Sequence, residues 1–323
     1  MNTLNWKIYL SNYIDLINHG LKTEEHANIH YKRFGKKEGR TDIQILSPLK
    51  IIDLSFEFDS SGYHHFYSST PCIIKNDIGY LVNIRCVNYS IKKKIVFKEN
   101  KTINICIQLD NNFIEIKSSD KSSDKSSDKS SIEDIKLFNF ENILYYIGTA
   151  FDGDRYNITT NVYPENKLNF IDTDFGDNKC IEKNWCYFNY HNELCLIYQW
   201  YPIKICKIKE NKLTCICIKE TKSIFTKIRG STNGYNYGNE IWFLTHYQQV
   251  INKLIGYCHL FVIFDLNMNI LRYSDPFKFE GERIEYALGL IVEKNNIIIS
   301  YSIFDCKSKI GIYNTDNFIF NLY

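Results

Sequence analysis

The sequence predicts an all-β molecule with a small helical segment at its start, and three observations carry that expectation. First, short runs of alternating character fill the chain from about residue 50 onward. Gly79-Tyr80-Leu81-Val82-Asn83-Ile84-Arg85 and Asn296-Ile297-Ile298-Ile299-Ser300-Tyr301 are examples, with the periodicity of strands rather than helices. Second, turn residues punctuate these runs at Asn76-Asp77, Glu141-Asn142, His191-Asn192, Gly238-Asn239 and Asn295-Asn296. Third, a polar cluster opens a hairpin-like pair of strands five times. The units run from Ser69-Thr70-Pro71 to Arg85, Glu133-Asp134 to Thr149, Lys183-Asn184-Trp185 to Gln199, Arg229-Gly230-Ser231 to His246, and Glu285-Tyr286 to Ser302. Anchors at Asp134, Trp185, Ser231 and Tyr286 lie 51, 46 and 55 residues apart, close to the repeat of a propeller blade. The expected architecture over residues 50–323 is a five-bladed β-propeller.

The elements follow in chain order. Over residues 1–45 the spacing predicts a helical hairpin. Trp6, Tyr9, Leu10, Tyr13 and Leu16-Ile17 recur at helical intervals and Gly20 supplies a stop. Thr23 then caps a second helix with Glu24 and Glu25 in its first turn, favourable to the helix dipole. Its apolar residues are Ala27, Ile29, Tyr31 and Phe34, and it is expected to stop at Gly35. A hairpin this short needs docking or a protein partner to be stable. Between the first two strand units the chain carries the tandem Ser/Asp/Lys repeat 118–131, which has no apolar surface to bury and reads as a disordered loop. It accounts for the single long step, 63 residues from Pro71 to Asp134.

Bulk composition narrows the function classes. Thirty-nine basic residues against 37 acidic leave a formal charge of +2, so no global field attracts nucleic acid. No apolar run reaches the roughly 18–20 residues of a membrane helix, and MNTLNWKIYLSNYIDL lacks a signal-peptide core. Eleven cysteines with no CxxC pair read as reduced, buried thiols, pointing to a reducing, cytoplasmic setting. His26 and His30 stand at i,i+4 without a third metal ligand nearby, and Asp152-Gly153-Asp154 lacks the rest of a calcium loop. No metal or cofactor is therefore expected.

In an antiparallel hairpin the start of the first strand and the end of the second share one edge. Five hairpins arranged radially would gather their polar ends around one mouth. The residues assigned to it are Arg85, Glu133, Asp134, Lys183, Asn184, Arg229, His246, Glu285, Tyr286 and Asp305. Asp134, Glu133 and Glu285 suit acid/base work on a glycosidic bond. Arg85, Lys183, Arg229 and His246 suit an anion such as phosphate, with Asn184, Tyr286 and Asp305 completing the binding set. Trp185, Trp200, Tyr201, Trp242 and Tyr286 offer flat faces for a sugar ring.

Glu133-Asp134-Ile135-Lys136-Leu137-Phe138, followed by Leu144-Tyr145-Tyr146-Ile147-Gly148-Thr149, resembles the Glu-Asp-Pro-Arg strand opening of mannoside phosphorylases and related five-bladed glycosidases. Ile135 and Lys136 depart from that motif. The resemblance implies a proton-donor role for Asp134 and phosphate binding by basic residues on other blades, matched by position to Arg85 and Arg229. It also implies an oligosaccharide or sugar donor as partner. The segment Trp6-Lys7-Ile8-Tyr9-Leu10-Ser11-Asn12-Tyr13, with His30-Tyr31 and Gly35-Lys36-Lys37-Glu38-Gly39-Arg40, is similar to a helical module of glycosyltransferase-like proteins of large DNA viruses. For a viral protein the setting would be the host cytoplasm or virus factory. The alternatives left open are a glycosyltransferase-associated enzyme using a sugar nucleotide and a non-catalytic sugar-binding scaffold.

Overall fold

The computed structural model describes residues 4–60, 64–89, 101–116, 132–165, 167–173, 182–251 and 254–323. The Ser/Asp/Lys repeat lies outside them. The described chain is mostly β, in five separate sheets that follow one another in sequence. The first contains Glu57–Ser60, His64–Asn76, Gly79–Val87 and Thr102–Leu109. Glu133–Phe140, Ile143–Phe151 and Tyr156–Val162 make the second. The third runs from Cys186–Tyr190 through Glu193–Trp200 and Ile203–Lys209 to Lys212–Lys219, with Asp172–Thr173 parallel at its edge.

In the fourth sheet the long strands Glu240–Ile251 and Leu254–Asp265 pair along their length, and Ile228–Gly230 and Tyr235–Tyr237 flank the first of them. The fifth comprises Glu285–Val292, Asn296–Ile303 and Lys307–Asn314. All five hairpins expected from the sequence form. Arg229 pairs with His246, Glu133 with Thr149 and Tyr286 with Ser302. Their turns explain themselves: Glu141-Asn142 and His191-Asn192 both have φ near +50° to +61°, the two-residue geometry whose twist matches paired strands.

Chain ends from elsewhere complete two sheets. Lys50–Asp53 pairs antiparallel with Lys307–Asn314, joining the beginning of the β region to its last sheet. Gln44–Ile45 lies parallel to Phe277–Lys278, and Phe320–Leu322 pairs with Ile270–Ser274.

The apolar residues collect between consecutive sheets. Ile147 and Ile158 of the second sheet pack with Trp185 and Leu196 of the third. Phe188 and Ile197 of the third meet Phe243 and Leu260 of the fourth. Phe261 and Leu244 meet Leu290 and Tyr301 of the fifth, and Ile291 and Ile298 of the fifth meet Ile73 and Val82 of the first. Cys72, Leu137 and Leu288 bring the first, second and fifth sheets together. Six of the ten described cysteines are buried and none of the ten is in a disulfide, as expected of small hydrophobes. Cys106 is the exposed exception.

The N-terminal segment is helical over Trp6–Asn12, Ile14–Asn18 and Glu24–His30. Tyr9, Leu10, Leu16 and Ala27 form its small core, and Thr23 Oγ1 accepts from the His26 N–H as its cap. The expected stop at Gly35 is corrected. Helical backbone continues through Tyr31–Gly35 and Lys36–Glu38 and ends at Gly39, φ +74°. Gly35 serves packing instead, since a Cβ there would lie 2.3 Å from the Tyr9 hydroxyl. The Asn12 side chain anchors the segment by donating to the Thr41 and Ile43 carbonyls and accepting from the Ile45 N–H.

Candidate active site

A cavity of about 160 Å³ is lined by residues of all five sheets or their leading edges. Thr70 and Arg85 come from the first and Asp134 from the second. Lys183 and Asn184 lead into the third. Arg229, His246, Gln248 and Tyr257 belong to the fourth, and Tyr286 and Asp305 to the fifth.

Asp134 reaches the cavity through a local irregularity. Between the pairs Glu133↔Thr149 and Lys136↔Ile147, Asp134 and Ile135 stand opposite Gly148 alone. Such a bulge re-aims a side chain. Asp134 adopts φ +53° there, a left-handed conformation that aspartate tolerates better than most residues. The partner must be glycine, because a Cβ at residue 148 would lie 2.6 Å from Ile132 Cγ2 and 3.0 Å from the Glu133 carbonyl oxygen.

Arg85 organises the acidic side. Its Nη1 donates to Asp134 Oδ1 at 3.0 Å and its Nη2 lies 2.9 Å from Glu133 Oε1. Nε and Nη2 also donate to Thr102 Oγ1. Thr70 Oγ1 donates to Asp134 Oδ1 as well, at 3.0 Å. Arg85 is buried and most of its fork is consumed by these partners, so it is placed as the holder of two carboxylates rather than as an open anion clamp. Burial pushes the Glu133 carboxyl up despite the opposing Arg85 charge.

Asp305 occupies the turn between two strands of the fifth sheet, with φ +51°. It has no hydrogen-bond partner among the described residues, and burial pushes its pKa up to about 6 against the opposing pull of Arg85.

The other side of the cavity is cationic and neutral-polar. Lys183 and Arg229 are exposed and carry no ion pair among the described residues. The Tyr286 hydroxyl donates to Asn184 Oδ1 at 3.0 Å, and Asn184 adopts φ +68°. His246 Nδ1 lies 2.8 Å from Ser231 Oγ, and its ring meets the edges of Tyr286 and Tyr257. Burial first, then nearby cations, holds that imidazole well below its ordinary pKa, hence neutral.

Two expectations are corrected by position. Glu285 is buried away from the cavity, where its carboxylate accepts from the backbone N–H groups of Phe279, Glu280 and Glu282 at 2.7–3.0 Å. It organises the bend before its own strand. Trp185, Trp200 and Trp242 belong to the inter-sheet cores, and Tyr201 is not among the cavity residues. Tyr286 is there, beside Tyr257. Lys136, at the position where the mannoside phosphorylase motif has arginine, is buried and donates to the Trp185 carbonyl. His65 bridges Asp59 and Glu57, and Asp152 Oδ1 closes a turn onto the Asp154 and Arg155 N–H groups.

Thr102, Gln248 and Tyr257 were not singled out from sequence, and Thr70 was named only within the polar cluster that opens the first hairpin. Gln248 was within reach, since it lies two residues beyond His246 on the same strand face. Tyr257 follows only from its pairing with Gln248.

No protein-family model and no curated protein matches the sequence. Solved structures do. A glycosyl hydrolase from Bacteroides ovatus superposes with a TM-score of 0.57 at 11% identity, covering 84% of this chain and 91% of that one. A mannose phosphorylase from Leishmania mexicana, in complex with phosphate ion, gives 0.55 at 9% identity over 91% and 95% of the two chains. A β-1,2-mannobiose phosphorylase from Listeria innocua, bound to β-1,2-mannobiose, gives 0.51 at 10% identity over 82% and 96%. The chain therefore shares the fold of these hydrolases and phosphorylases.

Proposed function

We propose that the chain is a carbohydrate-active five-bladed β-propeller that cleaves a glycosidic bond, by phosphorolysis or hydrolysis, at the mouth where its five sheets converge. The cyclic succession of inter-sheet cores supports the propeller, with the first and fifth sheets packed together. One observation carries the chemistry: a held carboxylate at Asp134 shares a cavity with Lys183 and Arg229, cations without an ion pair among the described residues. In this reading Asp134 acts in its protonated, carboxylic-acid form and gives that proton to the departing glycosidic oxygen, becoming the carboxylate that Arg85 and Thr70 hold. Phosphate attacks the anomeric carbon as the bond to that oxygen breaks, or water does so with its proton passing to a neighbouring carboxylate. Lys183 and Arg229 hold the phosphate, a use of available cations that a hydrolase has less need for. Neutral His246, Asn184 and the tyrosines Tyr257 and Tyr286 hold the sugar.

Asp134→Asn should lower turnover of a β-linked mannoside, with phosphate present, by about 10²–10⁴-fold while leaving the chain folded. Unchanged turnover in the folded variant would sink the assignment. Dependence of turnover on phosphate, on water alone or on a sugar nucleotide separates phosphorolysis from hydrolysis and from the transferase alternative.

A second assignment rests on Asp305. This carboxyl has no hydrogen-bond partner among the described residues, lies in the same cavity and keeps its proton to about pH 6, so it is itself a proton-donor candidate. The likeness of the N-terminal helices to viral glycosyltransferase-like proteins bears on the setting, glycan building or trimming, rather than on the bond cleaved.

A further inference from the structure

The cavity at the mouth is small. At about 160 Å³ it falls below the roughly 300–1,000 Å³ of typical ligand sites. Beside it lies an open groove of about 880 Å³. Arg229 and Gln248 line both, so the two adjoin at these residues. One wall of the groove is the fourth sheet and the 3-10 turn leading into it, from Thr226 to Arg229 and along Tyr247, Gln248, Gln249 and Val250. The facing wall is supplied by Tyr31, Thr41 and Asp42 of the N-terminal segment.

We infer that this groove binds the continuation of an oligosaccharide whose scissile unit sits at the mouth, and that the N-terminal helices are part of the substrate-binding surface. The inference rests on the glycoside-cleaving reading above. The mouth cannot enclose more than a fraction of a chain, and a bound chain must leave by a path contiguous with it. Arg229 and Gln248 mark that path. From His246 to Val250 the strand advances roughly 13 Å at about 3.3 Å per residue, a length that takes sugar units beyond the one being cleaved.

The lining has the chemistry for them. Tyr31 and Tyr247 present ring surface, while Asp42, Gln248 and Gln249 present carboxylate and amide groups able to engage neighbouring hydroxyls. Tyr31 is fixed by edge-on packing against Tyr9 and Asp42 by the Asn5 N–H at 2.9 Å. The facing wall is also tied to the sheet, because Gln44–Ile45, just after Asp42, pairs with Phe277–Lys278. The groove is thus held open by strand pairing and by the Asn12 clasp on the chain around Thr41–Ile45.

The test uses the full chain and β-linked manno-oligosaccharides from disaccharide to hexasaccharide, with inorganic phosphate. The expected result is a kcat/KM that rises at least about tenfold from disaccharide to tetrasaccharide, mainly through KM. Thr226→Trp, which fills the groove from an exposed position, should bring the tetrasaccharide-to-disaccharide ratio close to one. Tyr31→Ala should lower the same ratio from the opposite wall.

A ratio near one in the unaltered chain overturns the inference while leaving the glycoside-cleaving reading intact. So does a ratio that Thr226→Trp leaves unchanged. Absence of turnover and of calorimetric binding at every chain length overturns both. The unaltered chain decides the first point without any variant having to fold.

Discussion

At the scale of single residues, the cavity separates carboxyls by the company they keep. Asp134 is held by Arg85 and Thr70, whereas Asp305 has the same arginine nearby but no hydrogen bond among the described residues. Burial penalises its charged form, so its proton is retained as pH rises past the ordinary carboxylate range and leaves near pH 6. Glu133, Asp134 and Asp305 share the one Arg85 charge, and ionising Asp305 adds a negative charge beside the other two. Activity that needs protonated Asp305 is present below about pH 6 and lost above it. Asp305→Asn should remove that limb from the kcat/KM profile. If Asp134 is the donor, Asp305→Asn leaves turnover within about tenfold at the optimum. A loss as deep as that of Asp134→Asn would make Asp305 the donor, and an unaltered limb would exclude it from the profile altogether.

At the scale of one element, the second sheet shows how backbone geometry delivers a side chain to the cavity. The Asp134-Ile135 bulge exists because residue 148 has no side chain, letting the opposite strand close on Ile132 and the Glu133 carbonyl. Gly148→Ala places a methyl group 2.6 Å from Ile132 Cγ2, an overpacking on the order of 1–3 kcal/mol. The bulge must then shift, and Asp134 with it. The expected outcome is a lower denaturation midpoint together with a fall in kcat, read by urea titration and steady-state kinetics. A variant with reduced stability but unchanged kcat would show that the bulge does not position Asp134. Gly230 plays a comparable part beside Arg229, since a Cβ there would meet Cys186 Sγ at 2.2 Å and the Asn184 carbonyl at 2.5 Å.

At the scale of the whole molecule, chain ends far apart in sequence complete the sheets. Lys50–Asp53 pairs with Lys307–Asn314, so the last sheet depends on residues that precede the first. Two truncations isolate that closure, one starting at Ser47 and keeping the strand, the other starting at Leu54 and lacking it. The second should be less stable by on the order of 2–6 kcal/mol, about four ladder hydrogen bonds at roughly 0.5–1.5 kcal/mol each. Equal stability in urea would mean that the strand is an ornament of the fifth sheet. Among the described residues no helix is long and apolar enough to cross a membrane.

The sequence by itself determined the strands, their turns and the five polar-headed hairpins, because alternation and turn chemistry act over a few residues. It also singled out Asp134, Lys183, Asn184, Arg229, His246, Tyr286 and Asp305, which the structure brings around one cavity. Glu285 was misplaced for a reason inherent to strands. Adjacent residues point to opposite faces, and nothing local says whether Glu285 or its neighbour Tyr286 faces the cavity. Only the tertiary structure decided that, as it decided that Arg85 is occupied by Glu133 and Asp134 and that the N-terminal segment faces the fourth sheet. Those contacts join residues tens to hundreds of positions apart, and they are set by how the sheets pack rather than by any local pattern.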